Sequence, residues 1–110
     1  VRYDRAAGVL TDWSAVGSCA SWKLPGLPAG GYEVVLKYSS DALEGGSLIV
    51  SETFFTLSSA VKTTLKAPIE DNIGTLKIRD GTGELKISVK TLLHGNLMKL
   101  QSVELIPANR

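Results

Sequence analysis

The amino-acid sequence predicts an all-β fold, an antiparallel β-sandwich of the jelly-roll or immunoglobulin-like kind. Along the 110 residues the dominant hydrophobic period is two, which is the period of half-buried strands. Roughly seven or eight such segments follow one another at spacings of about 8 to 15 residues, with glycine and proline turns between them. No long segment combines a helical apolar stripe with a capping signal.

The clearest strand is predicted at residues 31–39, where one face is apolar and the other carries Glu33 and Lys37. Residues 18–24 predict an earlier strand with Trp22 on its core face. Prolines and glycines force a turn between the two segments. The pair therefore forms either a wide hairpin or a crossing from one sheet to the other. The apolar face of the later strand consists of Tyr32, Val34, Leu36 and Tyr38.

The middle of the chain predicts two further strands and a loop. Residues 47–55 are rich in β-branched and aromatic side chains, which favours a strand. Residues 61–67 alternate between apolar and polar, and Pro68 would end that strand. The polar stretch at 69–72 is expected to be a loop.

The C-terminal third predicts a hairpin and one irregular strand. Alternating apolar residues at 76–89 flank the turn sequence at 80–83, which is rich in Asp and Gly. The last strand is predicted at 97–106, but its apolar residues do not keep a single register. A β-bulge near Gln101 or Ser102 would reconcile them.

Composition restricts the classes of partner. Twelve Lys and Arg against eleven Asp and Glu give a formal net charge of +1, which is too balanced for a nucleic-acid-binding footprint. With 44% hydrophobic and 21% charged residues, the chain is one ordinary globular domain spanning 1–110. Its apolar runs are far shorter than the roughly 20 residues of a membrane span, so no membrane partner is expected. Because no initiator Met or signal peptide opens the sequence, we expect a piece of a larger protein.

The chain is not expected to be an enzyme, because few titratable groups are available to build a catalytic site. The sequence holds one His and one Cys. We expect Cys19 to be a buried, unreactive thiol. The acidic residues Asp41 and Glu44, and likewise Glu70 and Asp71, are expected to be solvated turn formers. Neither a metal nor a cofactor is therefore predicted.

Trp13 is the candidate ligand platform, because it lies in the polar, glycine-punctuated stretch 10–17 and not in a clean alternating strand. Sugars stack their C–H faces on aromatic rings and need polar side chains for their hydroxyls. Asp12, Asn96 and His94 are the candidate polar partners. The alternative interpretation is that Trp13 folds back over the sandwich edge as a lid on the core, and that His94 is an ordinary exposed loop residue.

Short strings spread over nearly the whole chain carry a family resemblance. Near the N-terminus these are Arg2-Tyr3-Asp4, Gly8-Val9-Leu10-Thr11-Asp12-Trp13, Ala20-Ser21-Trp22-Lys23-Leu24 and Pro28-Ala29-Gly30-Gly31-Tyr32-Glu33-Val34. The later ones span 46–50, 73–76, 83–87 and 97–108. Together they resemble the C-terminal β-sandwich of secreted bacterial sulfatases and fucosidases. More broadly, they resemble the galactose-binding-like jelly roll of family 6 and family 35 carbohydrate-binding modules.

The resemblance implies a non-catalytic, carbohydrate-binding accessory module of an exported polysaccharide-degrading enzyme, hence a secreted or periplasmic location. Its partners would be a polysaccharide or oligosaccharide and a catalytic domain in the same chain. Such modules often hold a structural calcium, but here the first strand offers only Asp4, and Gln101 occupies the expected Asp position of the last strand. Asn96 falls in the loop where sugar-binding members place a polar contact. The alternative is a docking domain that packs on a sulfatase or glycosidase domain without binding sugar.

Overall fold

A computed structural model describes residues 1–24, 27–41, 44–52, 55–64, 67–79 and 83–108. Every regular element in these ranges is a β-strand, and no helix within them is long and apolar enough to cross a membrane. The strands are β1 (Arg2–Asp4), β2 (Val9–Thr11), β3 (Cys19–Lys23), β4 (Gly30–Ser39), β5 (Gly46–Ser51), β6 (Thr56–Ala60), β7 (Ile69–Ile78), β8 (Glu84–Leu92) and β9 (Lys99–Pro107).

The strands form two antiparallel sheets. One sheet has five strands in the order β1-β2-β9-β4-β7, and the other has four in the order β3-β8-β5-β6. From β2 to β9 the chain changes sheet at every connection except the one between β5 and β6. This alternation is the strand order of a jelly roll. The predicted all-β antiparallel sandwich is therefore confirmed.

The core lies between the inner faces of the two sheets and follows the two-residue period of the sequence. In β4 the alternate residues from Tyr32 to Tyr38 are buried, and in β8 the same holds from Leu85 to Val89. Each large apolar side chain that is fully buried in this way contributes about 1.5–3 kcal/mol of transfer free energy. The sandwich is thus held together mainly by the alternating residues of its central strands.

The hairpin predicted at 76–89 is wrong in its pairing. Both strands exist, but β7 pairs with β4 in the five-stranded sheet, whereas β8 pairs with β3 and β5 in the other sheet. Alternation of apolar residues shows which face of a strand is buried but does not determine which other strand it pairs with. The turn residues 80–82 lie outside the described residues. For the segments 18–24 and 31–39, the sheet crossing is the correct alternative, because β3 and β4 belong to different sheets.

The middle of the chain also differs from its predicted elements. The strand predicted at 47–55 ends at Ser51, and the next residue, Glu52, bonds to Phe55 through both its backbone and its side chain. The returning strand is β6, which precedes the strand predicted at 61–67. Residues 61–64 are not in a strand, and 65–66 lie outside the described ranges.

The polar stretch 69–72 is the beginning of β7, and the loop predicted there is wrong. Its residues alternate as in any strand, with Glu70 and Asn72 exposed. The inward residue Asp71 is buried because Tyr38 and Lys62 satisfy its carboxylate. Because Asp71 is a charged residue on the core face, the alternation of apolar and polar residues that predicts a strand is interrupted here in the sequence.

The predicted bulge in the last strand is confirmed. Lys37 of β4 lies opposite Ser102, while the next residue, Tyr38, lies opposite Leu100. Gln101 is therefore the extra residue, without a partner on β4. A bulge of this kind redirects the side chains around it.

The sandwich is closed along one side and open along the other. On the closed side, β6 of one sheet approaches β7 of the other. On the open side, β3 is the edge strand, and β2 pairs with β9 only between Leu10 and Leu100. Beyond Leu100, β9 therefore has β4 as its one partner in the described part of the chain. The core consequently reaches the surface along the open side.

Candidate functional site

The structure places Trp13 inside the core. Its side chain has 0% relative exposure, and its indole N–H donates to the Leu10 carbonyl oxygen at 3.0 Å. Asp12, with a left-handed φ of 59°, turns the chain after β2 and sends Trp13 inward. The ring therefore offers no face to a ligand. The interpretation of Trp13 as a lid on the core fits the structure, and the platform interpretation does not.

Asn96 ties the loop before β9 to the Trp13 segment. Its Oδ1 accepts the backbone N–H of Trp13 at 2.8 Å, and its Nδ2 donates to the Met98 carbonyl oxygen at 3.2 Å and to Glu44 Oε2. Thr11 Oγ1 lies 3.4 Å from the same Nδ2. The polar atoms of Asn96 are thus used within the protein, and the residue acts as an internal brace.

The expectation that Glu44 is a solvated turn residue is wrong, because Glu44 is buried. Its Oε1 accepts from the Lys99 ammonium at 2.8 Å and from the Asp41 backbone N–H at 3.2 Å. The hydrogen bond to Glu44 raises the pKa of Lys99, and the negative charges of Glu44 and Asp41 add to this effect. Glu44 and Asn96 together form one satisfied polar network at this end of the sandwich.

The two remaining predicted site residues, Asp12 and His94, are exposed. Asp12 pairs with Arg2 at 2.8 Å, and both side chains are more than half exposed. Solvent screens such an exposed ion pair, so it contributes little to stability. His94 lies in the exposed bend at 93–95. The predicted set of Asp12, Trp13, His94 and Asn96 therefore does not converge on a ligand surface.

A different tryptophan faces solvent. Trp22, which the alternation places on the core side, is only partly buried because β3 is the edge strand of the open side. Its ring lines two adjoining cavities of about 210 and 220 Å³ that also share Val103. Because they share these two lining residues, we call the pair of cavities the open-side groove.

Both halves of the open-side groove are lined mainly by apolar surface, and they differ in the hydrogen-bonding side chains at their walls. The polar half, of about 210 Å³, places the Trp22 indole near Tyr3, Gln101 and Ser102. The apolar half, of about 220 Å³, is lined by Trp22, Leu24, Leu85, Val103 and Leu105. No charged side chain of the described residues lines either half.

The polar half depends on local backbone features. Tyr3 is 59% exposed and comes from β1, which pairs with β2 at the outer edge of the five-stranded sheet. Gln101 reaches the groove from the β9 bulge, and Ser102 follows it. The Trp22 indole N–H makes no hydrogen bond within the described residues. Aromatic faces and free amide and hydroxyl groups therefore meet in one shallow site.

Sequence reasoning identified the bulge at Gln101 but missed the groove. An edge strand and a central strand show the same alternation, so Trp22 gave no sign of its exposure. Cys19 is exposed and not buried as expected, because it alternates with the inward residues Ala20 and Trp22 and so lies on the outer face of β3. Among the described residues, no three His, Cys, Asp or Glu side chains cluster as metal ligands would. The expectation that the chain needs no metal or cofactor stays a prediction.

Comparisons with known proteins bear on the fold. No protein-family model matches the chain, and no curated protein matches it either. A solved structure, the insecticidal crystal protein Cry2Aa, is similar over 92% of this chain with a TM-score of 0.67 and 19% sequence identity. The chain spans 17% of that toxin's length. What the two share is the β-sandwich fold. The resemblance to carbohydrate-binding and sulfatase-associated modules stays a prediction.

Proposed function

We propose that this chain is a non-catalytic carbohydrate-binding module, and that its ligand surface is the polar half of the open-side groove. The observation that carries the proposal is the partly exposed Trp22 indole beside the Gln101 amide and the Ser102 hydroxyl. A sugar ring stacks its C–H face on an indole, while planar amide and hydroxyl groups bond its hydroxyls. Tyr3 supplies a second aromatic ring at the same site.

The binding mode would be shallow stacking with a small number of hydrogen bonds. Each sugar hydroxyl must give up water to bond the protein, so the net gain per hydrogen bond is about 0.5–1.5 kcal/mol. A single sugar ring should therefore bind weakly, and a longer chain that extends along the groove should bind better. The absence of charged lining residues in the described part of the groove favours neutral sugar units here.

The accessory role, the exported location and the enzyme to which the module belongs rest on the resemblance of the sequence strings. A non-catalytic module of this kind would hold a neighbouring catalytic domain near its polysaccharide. Its task is then retention of the substrate and not bond cleavage.

The test is a titration of the purified domain with neutral and acidic oligosaccharides, followed by calorimetry and by tryptophan fluorescence. We expect saturable binding that falls about tenfold or more in Trp22→Ala, because one stacked ring contributes on the order of 1–2 kcal/mol. Gln101→Ala should weaken binding about threefold or more while leaving the core untouched. Leu93→Ala, at an exposed residue away from the groove, is the control and should bind normally.

Because Trp22 also packs against the core, its variant needs a folding check by circular dichroism. Gln101→Ala keeps the proposal testable if Trp22→Ala fails to fold. The proposal is wrong if no oligosaccharide binds, or if binding survives unchanged in every folded variant of the polar half.

A second candidate function is docking against a neighbouring domain, and the apolar half of the groove favours it. Leu24, Leu85, Val103 and Leu105 offer an apolar surface beside the free edge of β9. In the longer protein, Leu105→Ser should then loosen the domain and expose its linker to limited proteolysis. Sugar binding by the isolated domain should not change. Unaltered proteolysis would argue against docking through this half.

A further inference from the structure

The outer face of the four-stranded sheet differs from the rest of the surface because hydroxyl groups dominate it. Outward-facing residues from adjacent strands line up in cross-strand rows. One row runs from Ser21 through Lys86 and Ser51 to Thr56, and the next runs from Cys19 through Ser88 and Ile49 to Ser58. We call this surface the hydroxyl face.

Three lysines stand on or beside the hydroxyl face without ion-pair partners. Lys86 has a serine opposite it on both sides, Ser21 on β3 and Ser51 on β5. Lys90 is exposed at the bulge between β8 and β5, and Lys23 is exposed at the end of β3. None of the three makes a salt bridge with a described residue.

The charges near the hydroxyl face do not cancel. Among the outward residues of its described strands, the hydroxyl face has three lysines and one acidic side chain. That acidic side chain is Glu84, which lies opposite Lys23. Lys86 has only serines opposite it, whereas Lys37 of the five-stranded sheet has Glu70 directly opposite it, as Lys23 has Glu84. The outward side chains of the described strands in this sheet thus carry a net positive charge, although the sequence as a whole is nearly balanced.

We propose that the hydroxyl face binds an anionic polysaccharide, a chain that carries sulfate or carboxylate groups. Strand geometry puts the Cα atoms of Lys23 and Lys86 about 8 Å apart, and those of Lys86 and Lys90 about 13 Å apart. Lysine side chains that start from backbone positions at these distances would meet successive anionic groups of an extended chain, while the intervening serines would bond its hydroxyls. The site is separate from the open-side groove and does not depend on sugar binding there.

The makeup of the face favours a polysaccharide over other polyanions. Single-stranded nucleic acids need aromatic rings on which their bases stack, and the outward residues of the described strands include none here. A membrane surface would need apolar side chains that enter the lipid, and Ile49 is the one large aliphatic side chain in the rows. Hydroxyl groups and cations on a flat sheet match a hydroxylated, anionic chain.

The test measures binding of the purified domain to dextran sulfate and polygalacturonate, with uncharged dextran as the backbone control. The combined variant Lys23→Gln, Lys86→Gln, Lys90→Gln removes the charge of the face. The combined variant Arg5→Gln, Lys37→Gln, Lys77→Gln is the matched control, because it removes the same charge from exposed positions elsewhere.

We expect binding to at least one anionic polymer and none to dextran. Affinity should fall about tenfold or more in the face variant and less than about threefold in the control, with a reduced salt dependence in the face variant. Equal losses in both variants, no binding to either anionic polymer, or tighter binding to duplex DNA or anionic vesicles would overturn the proposal.

The two proposed sites can be separated in the same experiment. Trp22→Ala should leave the affinity for the anionic polymers unchanged, and the face variant should leave neutral-oligosaccharide binding unchanged. If the groove does not bind sugar, the proposal for the hydroxyl face still stands. If the hydroxyl face does not bind anionic polymers, the proposal for the groove still stands.

Discussion

Asn96 shows how a residue with the chemistry of a ligand contact can be used up inside the protein. Its side chain bonds the backbone of Trp13, the backbone of Met98 and the carboxylate of Glu44. These groups are partly or fully buried, so water cannot replace the amide at no cost. The stability of the loop before β9 and the inward position of Trp13 therefore depend on one side chain.

Replacing this amide should destabilise the domain. We expect Asn96→Ala to lower the free energy of unfolding by about 2–4 kcal/mol, because it removes the partner of the Trp13 N–H and of Glu44 Oε2. Urea denaturation followed by circular dichroism measures this change. His94→Ala, two residues away and exposed, should stay within about 0.5 kcal/mol of the native protein. Equal stabilities of the two variants would contradict the role assigned to Asn96.

Tyr38 is the second residue whose polar group is satisfied inside the core. Its hydroxyl donates to Asp71 Oδ2 at 2.7 Å and accepts the Lys62 backbone N–H at 2.9 Å. Burial raises the pKa of Tyr38 well above its ordinary value. The Lys62 N–H works against this shift, whereas the hydrogen bond to Asp71 adds to it. The phenol therefore stays protonated in the folded protein at a pH where the unfolded chain loses the proton.

The raised pKa of Tyr38 predicts a loss of stability in alkali. Its contribution is complete below about pH 10, the pKa of an unfolded tyrosine, and declines as the pH rises above that value. The free energy of unfolding should therefore fall less steeply above about pH 10 in Tyr38→Phe than in the native protein. At neutral pH that variant should be about 1–3 kcal/mol less stable, because Asp71 and the Lys62 N–H lose a partner.

Ultraviolet absorbance of ionised tyrosine checks the assignment independently. The native protein and Tyr38→Phe should show the same ionisation change up to about pH 11 while folded. In denaturant, the native protein should show one tyrosine more, since its sequence holds three. A difference between the two folded proteins below that pH would mean that Tyr38 titrates normally.

At the scale of the strands, Gly46 lets β5 approach β8 at the bulge. Its φ of 141° is accessible to glycine, and a Cβ there would overlap the Thr91 carbonyl oxygen and lie 2.9 Å from the carbonyl carbon. The carbonyl group belongs to the backbone and cannot rotate away as a side chain would. The pairing of Gly46 with Leu92 thus depends on the missing side chain.

Adding one methyl group at this point should separate the strands. We expect Gly46→Ala to cost about 3 kcal/mol or more, from backbone strain and from the clash with Thr91. The control is Gly83→Ala, where a Cβ has no atom within 4 Å, and it should change stability by about 0.5 kcal/mol or less. Thermal unfolding compares the two. If Gly46→Ala unfolds at the same temperature as Gly83→Ala, the close approach of β5 to β8 is not a structural requirement.

At the scale of the whole molecule, the open side of the sandwich decides which tryptophan meets solvent. Trp13, in the segment that follows β2, is fully buried, whereas Trp22 lies on the edge strand β3 and lines the groove. Each tryptophan alone therefore reports on one region of the structure.

Fluorescence quenching tests this arrangement. With Trp22→Phe, the remaining Trp13 should emit at short wavelength and resist acrylamide. With Trp13→Phe, the remaining Trp22 should be quenched several-fold more strongly, because the open side admits the quencher. A Trp13 that is quenched as readily as Trp22 would mean that the loop before β9 does not seal the core.

Much of the fold was predictable because burial of alternate residues follows directly from local sequence. The strand β4, the β9 bulge at Gln101 and the all-β class are of this kind. The pairing of β7 with β4 was not predictable, since strand partners are set by contacts between distant residues. The beginning of β7 was missed because the charge of Asp71 is compensated by Tyr38 and Lys62, which lie far away in the chain.

The sequence by itself determined that this protein is all-β with strands buried on one face, because a two-residue hydrophobic period with glycine and proline turns is the pattern of such strands. The tertiary structure decided which strands form edges and which side chains meet. It buried Trp13 and placed Trp22 at the surface. It also placed three lysines on one sheet face whose outward residues in the described strands include one acidic side chain, although the sequence is nearly neutral. Exposure and local charge depend on neighbours across the sheets, and a local pattern in the sequence does not contain them.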